Sequence, residues 1–240
     1  MAEPDHSGSA NDNAGDVPSI DPRNIASDCM DSLMLPAGIL YENPSKAFQK
    51  YSVILADPPW SYDDKALNRG GAERFYRTLS EQAIAELPVA GIAAKDSILF
   101  LWATYPKIAE ALAVIAAWGF TYKTAAFTWV KRNTVTPSLF WGMGRWTRSN
   151  AEICLLATRG KPSRAEDGKG VHSIIEAAVM RHSAKPAETK DRILKLTGDV
   201  PRIELFAREV TPGWHAVGNE VNNGADIREV LPALIERIGK

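Results

Sequence analysis

Four consecutive residues, Asp57, Pro58, Pro59 and Trp60, bring together a carboxylate, two imino acids and an indole. Each proline fixes its own φ at about −65° and pushes the residue before it out of the helical region, so the stretch is stiff and extended. Neither proline supplies an N–H, which leaves nearby carbonyls without a local donor and turned outward as acceptors. A carboxylate and a carbonyl accepting the two N–H bonds of a ring-conjugated amine favour a tetrahedral nitrogen with a usable lone pair. The exocyclic amine of adenine, a poor nucleophile because its lone pair is delocalised, needs that help. An aromatic face beside it can stack on the base, worth about 1–3 kcal/mol per base. A plain strand-end turn could carry the same four residues, so what holds them decides their meaning.

The run in front of them, from Tyr51 to Ala56, is short and nearly continuously apolar, as expected of a strand buried on both faces. Ser80 can cap a helix running through Glu86, with Pro88 near its end. A second buried strand spans 97–103. Thr104 as N-cap and Pro106 in the first turn then open a helix that Gly119 closes after Trp118. Strands follow at 120–131 and 151–157, separated by a long polar and aromatic loop at 132–150; loops of that length are usually functional. Pro186 begins a helix that Gly198 stops, and 202–207 is a fifth strand. From 226 to 238 apolar residues recur at helical spacing, with Asp226 and Glu229 at capping-box spacing and Pro232 placed to kink the helix. Strands alternating with helices predict an α/β domain with a mostly parallel central sheet. Sites in such sheets lie at the carboxyl ends of the strands, which is where Asp57 stands.

The 240 residues carry a net charge of −1, and that near-neutral total hides an asymmetry. Lys123, Lys131, Arg132, Arg145, Arg148, Arg159, Lys161 and Arg164 face one acid, Glu152, within the same window, whereas the first thirty residues hold six acids against Arg23. A basic middle is the footprint a phosphate backbone requires, though a solvated charged face has the same composition. Residues 1–28 are polar, acidic and poor in large apolar side chains, which predicts a disordered tail ahead of a single domain at 29–240. Two cysteines without C-x-x-C spacing and four scattered histidines exclude a disulfide scaffold and a cysteine-rich zinc site, and no metal is expected. No apolar run reaches the length of a membrane span and no secretory signal opens the chain, so a cytoplasmic protein is expected.

Beyond Asp57-Pro58-Pro59-Trp60, an ordered series of segments resembles the MT-A70 family of adenine-N6 methyltransferases over about 51–221. It comprises Leu99-Phe100-Leu101-Trp102-Ala103-Thr104, Ala117-Trp118-Gly119-Phe120 and Thr128-Trp129-Val130-Lys131. Next come 142–148, the strand bearing Glu152, and His182-Ser183-Ala184-Lys185-Pro186. Glu204-Leu205-Phe206-Ala207-Arg208, Gly213-Trp214 and Gly218-Asn219-Glu220 close it. The resemblance implies a Rossmann-like S-adenosylmethionine-dependent methyltransferase fold, with the catalytic motif N-terminal to the cofactor-binding strand. It also implies that Asp57 meets both the amine and the methionine end of S-adenosylmethionine. The Pro58 carbonyl would be the second acceptor, and Trp60 a wall of the base pocket. Lys185 would contact the cofactor's carboxylate, and Arg208, Asn219 and Glu220 its ribose and adenine.

In duplex DNA the target amine lies inside the stack, so the base is flipped or the substrate is single-stranded. Lys131, Arg132, Trp141, Arg145, Trp146 and Arg148 interleave cations with aromatics on the long loop, which suits phosphate contact plus stacking; 68–76 reads as a lid. Trp102, Trp118 and Trp129 read as core, His182 as a local hydrogen-bonding residue, and Glu152 as the partner of a neighbouring arginine. Gly142-x-Gly144 lacks the strand-turn-helix setting of a dinucleotide fingerprint, and no phosphate-loop motif exists. DNA is favoured as the polymer. RNA, a protein side-chain amide and a non-catalytic nucleic-acid-binding partner subunit are the rivals, and a homodimer or partner subunit is left open.

Overall fold

The structure, a computed structural model, describes residues 49–62, 78–144, 146–180, 184–221 and 224–239. The expected tail at 1–28, the lid at 68–76, Arg145 and His182 lie outside the described residues.

Seven strands form one sheet: β1 (Tyr51–Ala56), β2 (Ala93–Ala103), β3 (Thr121–Arg132), β4 (Ala151–Arg159), β5 (Ile174–Ala178), β6 (Arg202–Leu205) and β7 (His215–Val217). Their order is β5-β3-β4-β2-β1-β6-β7. The pairs β1–β2, β1–β6, β6–β7 and β3–β5 are parallel, while β4 runs antiparallel to both β2 and β3. The sheet is therefore mixed and mostly parallel. The reversed strand brings its amino end, Ala151 and Glu152, to the edge where its neighbours have their carboxyl ends. Glu152 pairs in register with Trp129, and Ile153 with Ala103.

Both faces of the sheet are covered, as the apolar runs anticipate. Alternation along each strand divides the core in two. Ile54, Ala56, Leu99, Leu101, Leu155 and Ala157 point to one face. There they meet α1 (Glu81–Ala85), α2 (Val89–Ile92), α3 (Ile108–Ala117) and α5 (Ile227–Ile238). Val53, Leu55, Phe100, Trp102, Phe127, Trp129 and Cys154 point to the other, where Ile193 of α4 (Glu188–Thr197) packs.

Most expected elements appear within a few residues of their predicted ends; β5, β7 and the single turn of α2 were not anticipated. Ser80 caps α1, its hydroxyl accepting from Ala83 N. Thr104 makes no side-chain cap bond: a 3₁₀ turn, Tyr105–Lys107, intervenes before α3, and the Thr104 hydroxyl is engaged elsewhere. Asp226 caps α5 through Arg228 N, and the Arg228 guanidinium also pairs with its carboxylate. The helix continues through Pro232 without a break. Gly198 ends α4 at φ 75°, a left-handed conformation glycine adopts without Cβ strain.

The long loop is ordered by main-chain bonds. Asn133 N donates to Ser138 O, Phe140 N to Lys131 O, and Lys131 N to Asn150 O, extending the β3–β4 ladder outward. Beyond it the chain folds back so tightly that a Cβ on Gly142 would stand 2.0 Å from Ser149 O. The two glycines at 142 and 144 thus serve close backbone approach.

Candidate active site

Residues on one face of the sheet, at the carboxyl ends of its parallel strands, form a chain of alternating charge. Period-two alternation carries Val53 and Leu55 on to Asp57, Phe127 and Trp129 on to Lys131, and Cys154 back to Glu152. Lys185, just ahead of α4, closes over them. Its ammonium donates to both Asp57 oxygens at 2.7 Å and lies 3.4 Å from Glu152 Oε2. Lys131 donates to Glu152 Oε1. The series Lys131–Glu152–Lys185–Asp57 is thus charge-balanced and largely buried, with side-chain exposures between 11% and 23%.

Burial opposes the charge on Glu152, but Lys185 and Lys131 outweigh it and hold the carboxyl below its ordinary range. Burial likewise opposes the Lys185 charge, and Asp57 and Glu152 overcome it, so that ammonium is raised above its usual range and stays charged. Cys154, enclosed behind them, has its thiol pushed well up, first by burial and then by Asp57, and remains protonated.

Two clefts meet on this chain. The smaller, about 430 Å³, is lined by Asp57 through Trp60, Tyr62, Trp102, Ala103, Thr104, Glu152, Lys185 and Arg208. The larger, about 890 Å³, shares Asp57, Trp102, Lys185 and Arg208 and adds the start of α4, Glu204, Phe206 and Thr211. In it, Lys190 donates to Thr211 Oγ1 at 2.5 Å and lies 2.7 Å from Glu204 Oε2. The buried Glu204 oxygen is thus held by an ion pair to Lys190. Burial raises the Glu204 carboxyl against the pull of Lys190. Phe206 holds φ at 63°, strained for a bulky side chain, where β6 turns into the wall of this cleft.

The structure brings Asp57, Pro58, Pro59, Trp60, Lys185 and Arg208 to these clefts as a group. Arg208 Nε lies 3.7 Å from Glu220 Oε1, placing Glu220 and the adjoining Asn219, both exposed, beside it. One expectation needs correction: the proline carbonyls are not without donors. Trp60 N, the first N–H after the prolines, turns back to donate to Pro58 O at 2.9 Å, and Leu79 N, bridged to Trp60, donates to Pro59 O at 3.0 Å. A carbonyl oxygen has two lone pairs, so Pro58 O keeps room for one more donor. Trp60 is 5% exposed, with its indole N–H donating to Trp102 O at 3.1 Å.

The six residues expected to meet nucleic acid divide. Lys131 turns inward to Glu152, and Arg132 pairs with Glu176 at 2.6 Å. Trp141 and Trp146 are 70% and 94% exposed, with the Arg148 guanidinium 4.5 Å above the Trp141 ring. Arg145 lies outside the described residues. Glu152, expected to pair with an arginine, instead joins two lysines at the centre of the site. Glu204 and Tyr62 were not named as site residues; for Glu152 and Glu204 the signals were strand parity and the family resemblance of the segments that bear them.

A family model described as MT-A70 matches residues 51–220. The Type II methyltransferase M.MunI of Mycoplasma sp is 34% identical over 195 residues, which are 74% of this chain and 81% of that protein. An N(6)-adenosine-methyltransferase MT-A70-like protein of Drosophila melanogaster is 30% identical over 194 residues, 80% of this chain and 30% of that protein. The N(6)-adenosine-methyltransferase catalytic subunit METTL3 of Homo sapiens is 30% identical over 176 residues, 72% of this chain and 28% of that protein. The chain thus spans most of the first relative and less than a third of the other two.

Proposed function

The chain belongs to the MT-A70 family, and from that premise we propose that it transfers a methyl group from S-adenosylmethionine to the N6 amine of adenine in nucleic acid, with DNA favoured. The observation that carries this reading is the Asp57 carboxylate, held by Lys185 where the two clefts meet.

The larger cleft suits the cofactor chemically. An α-amino acid end needs an anion for its ammonium and cations or hydroxyls for its carboxylate; Glu204, ion-paired with Lys190, together with Lys185 and Thr211, is such a set. In this reading Arg208, Asn219 and Glu220 hold the ribose and adenine. The fold in this reading is Rossmann-like, with catalytic β1 ahead of cofactor-binding β6 in the chain. The cofactor supplies an electrophilic methyl on a sulfonium. Asp57 and the Pro58 carbonyl accept from the adenine amine and aim its lone pair. With the cofactor bound, the amine nitrogen would take the methyl carbon as the carbon–sulfur bond breaks, and the alkylated amine would then give its proton to water. Asp57, paired with Lys185, orients and stabilises rather than removing that proton. Positioning and electrostatics supply the rate.

The preference for DNA leans on the higher identity to a type II methyltransferase, over most of its length, than to the adenosine methyltransferases. Transfer of labelled methyl from S-adenosylmethionine to single- and double-stranded DNA and RNA oligonucleotides tests both parts. Label on adenine N6 of DNA is expected; label on RNA alone changes the polymer, and cofactor binding with no label on any substrate refutes the assignment.

Trp141, Trp146 and Arg148, displayed on the glycine-locked end of the long loop, form the nucleic-acid contact in this reading. Arg148→Glu is expected to weaken oligonucleotide binding and lower the slope of log K against log salt by about 0.9 for the lost phosphate contact. An unchanged slope would make this loop a solvated face.

A further inference from the structure

The tetrapeptide's indole is poorly placed to receive a base. Trp60 is 5% exposed, its ring sits in the core beneath α1 to α3, and its N–H is spent on Trp102 O. Its backbone is bridged to Leu79 as well. Trp102 is 1% exposed. Among the described aromatic residues lining the smaller cleft, Tyr62 alone is not buried.

Contacts from two described residues hold that ring. The Tyr62 hydroxyl lies 2.5 Å from Thr104 Oγ1, and Thr104, at the carboxyl end of β2, lines the same cleft. The Lys107 ammonium stands 5.5 Å from the ring centroid. Lys107 is itself 7% exposed and paired with Glu81 of α1 and Glu110 of α3. Burial works against its charge, but the bonds to Glu81 and Glu110 prevail and hold the ammonium charged. A buried cation anchored at both ends and set against an aromatic ring attracts the ring's electron-rich face. The hydroxyl tie then sets the remaining rotation. Thr104 opens its helix without using its side chain as a cap, and the hydroxyl so released is the one Tyr62 takes.

We infer that Tyr62, rather than Trp60, is the aromatic wall on which the target base rests beside Asp57, with Thr104 and Lys107 as its positioning residues. The inference rests on the methyltransferase reading above. Trp60 is then the anchor that fixes the shape of the Asp57-Pro58-Pro59 turn. The same cleft is lined by the polar groups Asp57, Glu152, Lys185 and Arg208, so a purine entering it meets both an aromatic ring and charged groups.

Steady-state kinetics on the oligonucleotide the wild-type protein methylates, with calorimetric S-adenosylmethionine affinity measured alongside, test this. Tyr62→Leu removes the ring but keeps bulk; KM for the oligonucleotide is expected to rise about 10-fold or more, with cofactor affinity unchanged. Tyr62→Phe keeps the ring and cuts the tie to Thr104, so KM should return close to wild type while kcat falls. Thr104→Val cuts the same tie from the other end, and the two losses in kcat should not add in the double variant. An unchanged KM in Tyr62→Leu overturns the inference while leaving the methyltransferase reading intact. Loss of cofactor affinity in Tyr62→Leu together with a failure of Tyr62→Phe to restore KM makes the residue merely structural, and also overturns it. A wild-type protein that methylates nothing overturns both.

Discussion

Asp57→Ala is expected to fold, bind S-adenosylmethionine more weakly, and lose methyl transfer by about 10³-fold or more. Removing a single preorganised polar contact to the reacting group costs about 10²–10³ in kcat. Asp57 is asked for more than one such contact. In the proposed reading it accepts from the amine and meets the methionine end of the cofactor, and in the structure two 2.7 Å bonds tie it to Lys185. The fold should survive because Lys185 retains Glu152, 3.4 Å away, and because the Asp57 side chain is partly exposed rather than packed in either core cluster. Asp57→Asn sharpens the test. It keeps the shape and one carbonyl acceptor but removes the charge, so Lys185 is left with an uncompensated share of its ammonium. Turnover near that of Ala would show that the charge is required; turnover above about a tenth of wild type would leave acceptor geometry as the whole of Asp57's contribution. Circular dichroism and thermal melting of both variants separate either result from unfolding.

What could be read from the sequence, and what could not, follows the range of the interactions. The turn at Asp57 was legible because proline stiffness and a strand's carboxyl end are local properties, and the α/β pattern told where such an end would matter. Helix starts at Ser80 and Asp226 were legible for the same reason. β7 is three residues long and β5 forms one end of the sheet, so neither carries enough periodicity to stand out. The direction of β4 was not legible at all, since antiparallel pairing with both β2 and β3 is decided by the assembled sheet. That reversal is what delivers Glu152 to the site. Lys131 is instructive in another way: a composition count placed it with the loop's cations, yet it shares strand parity with Phe127 and Trp129, both 1% exposed. Alternation, applied to the strand's last turn outward, points it inward. Pro58 O is engaged despite the N–H groups the prolines lack, because the next N–H along, that of Trp60, turns back on it.

Glu152→Gln is the second large effect, and it separates charge from geometry. The series Lys131–Glu152–Lys185–Asp57 has two cations and two anions; neutralising Glu152 leaves one buried positive charge in excess. Leaving a buried charge without its partner costs about 3–5 kcal/mol in the limit of full burial, and the side chains here are 11% to 16% exposed, so the melting temperature should fall measurably. Lys185 loses one of the groups that aim it at Asp57, and a misplacement of about 1 Å in a reacting assembly costs about 10²-fold in rate. The excess charge also opposes a sulfonium. S-adenosylmethionine affinity should therefore drop more than that of S-adenosylhomocysteine, whose sulfur is neutral. At an effective dielectric of about 20 the difference is about 1–2 kcal/mol, roughly a factor of ten in the affinity ratio. Lys131→Met in the same background restores the balance, because it removes the cation whose partner is gone. The double variant should regain most of the lost stability and most of the affinity ratio, while kcat stays low, since Lys185 still lacks the Glu152 carboxylate that helps aim it. If Lys131→Met instead adds its own loss to that of Glu152→Gln, the four groups act separately and charge balance is not what Glu152 provides.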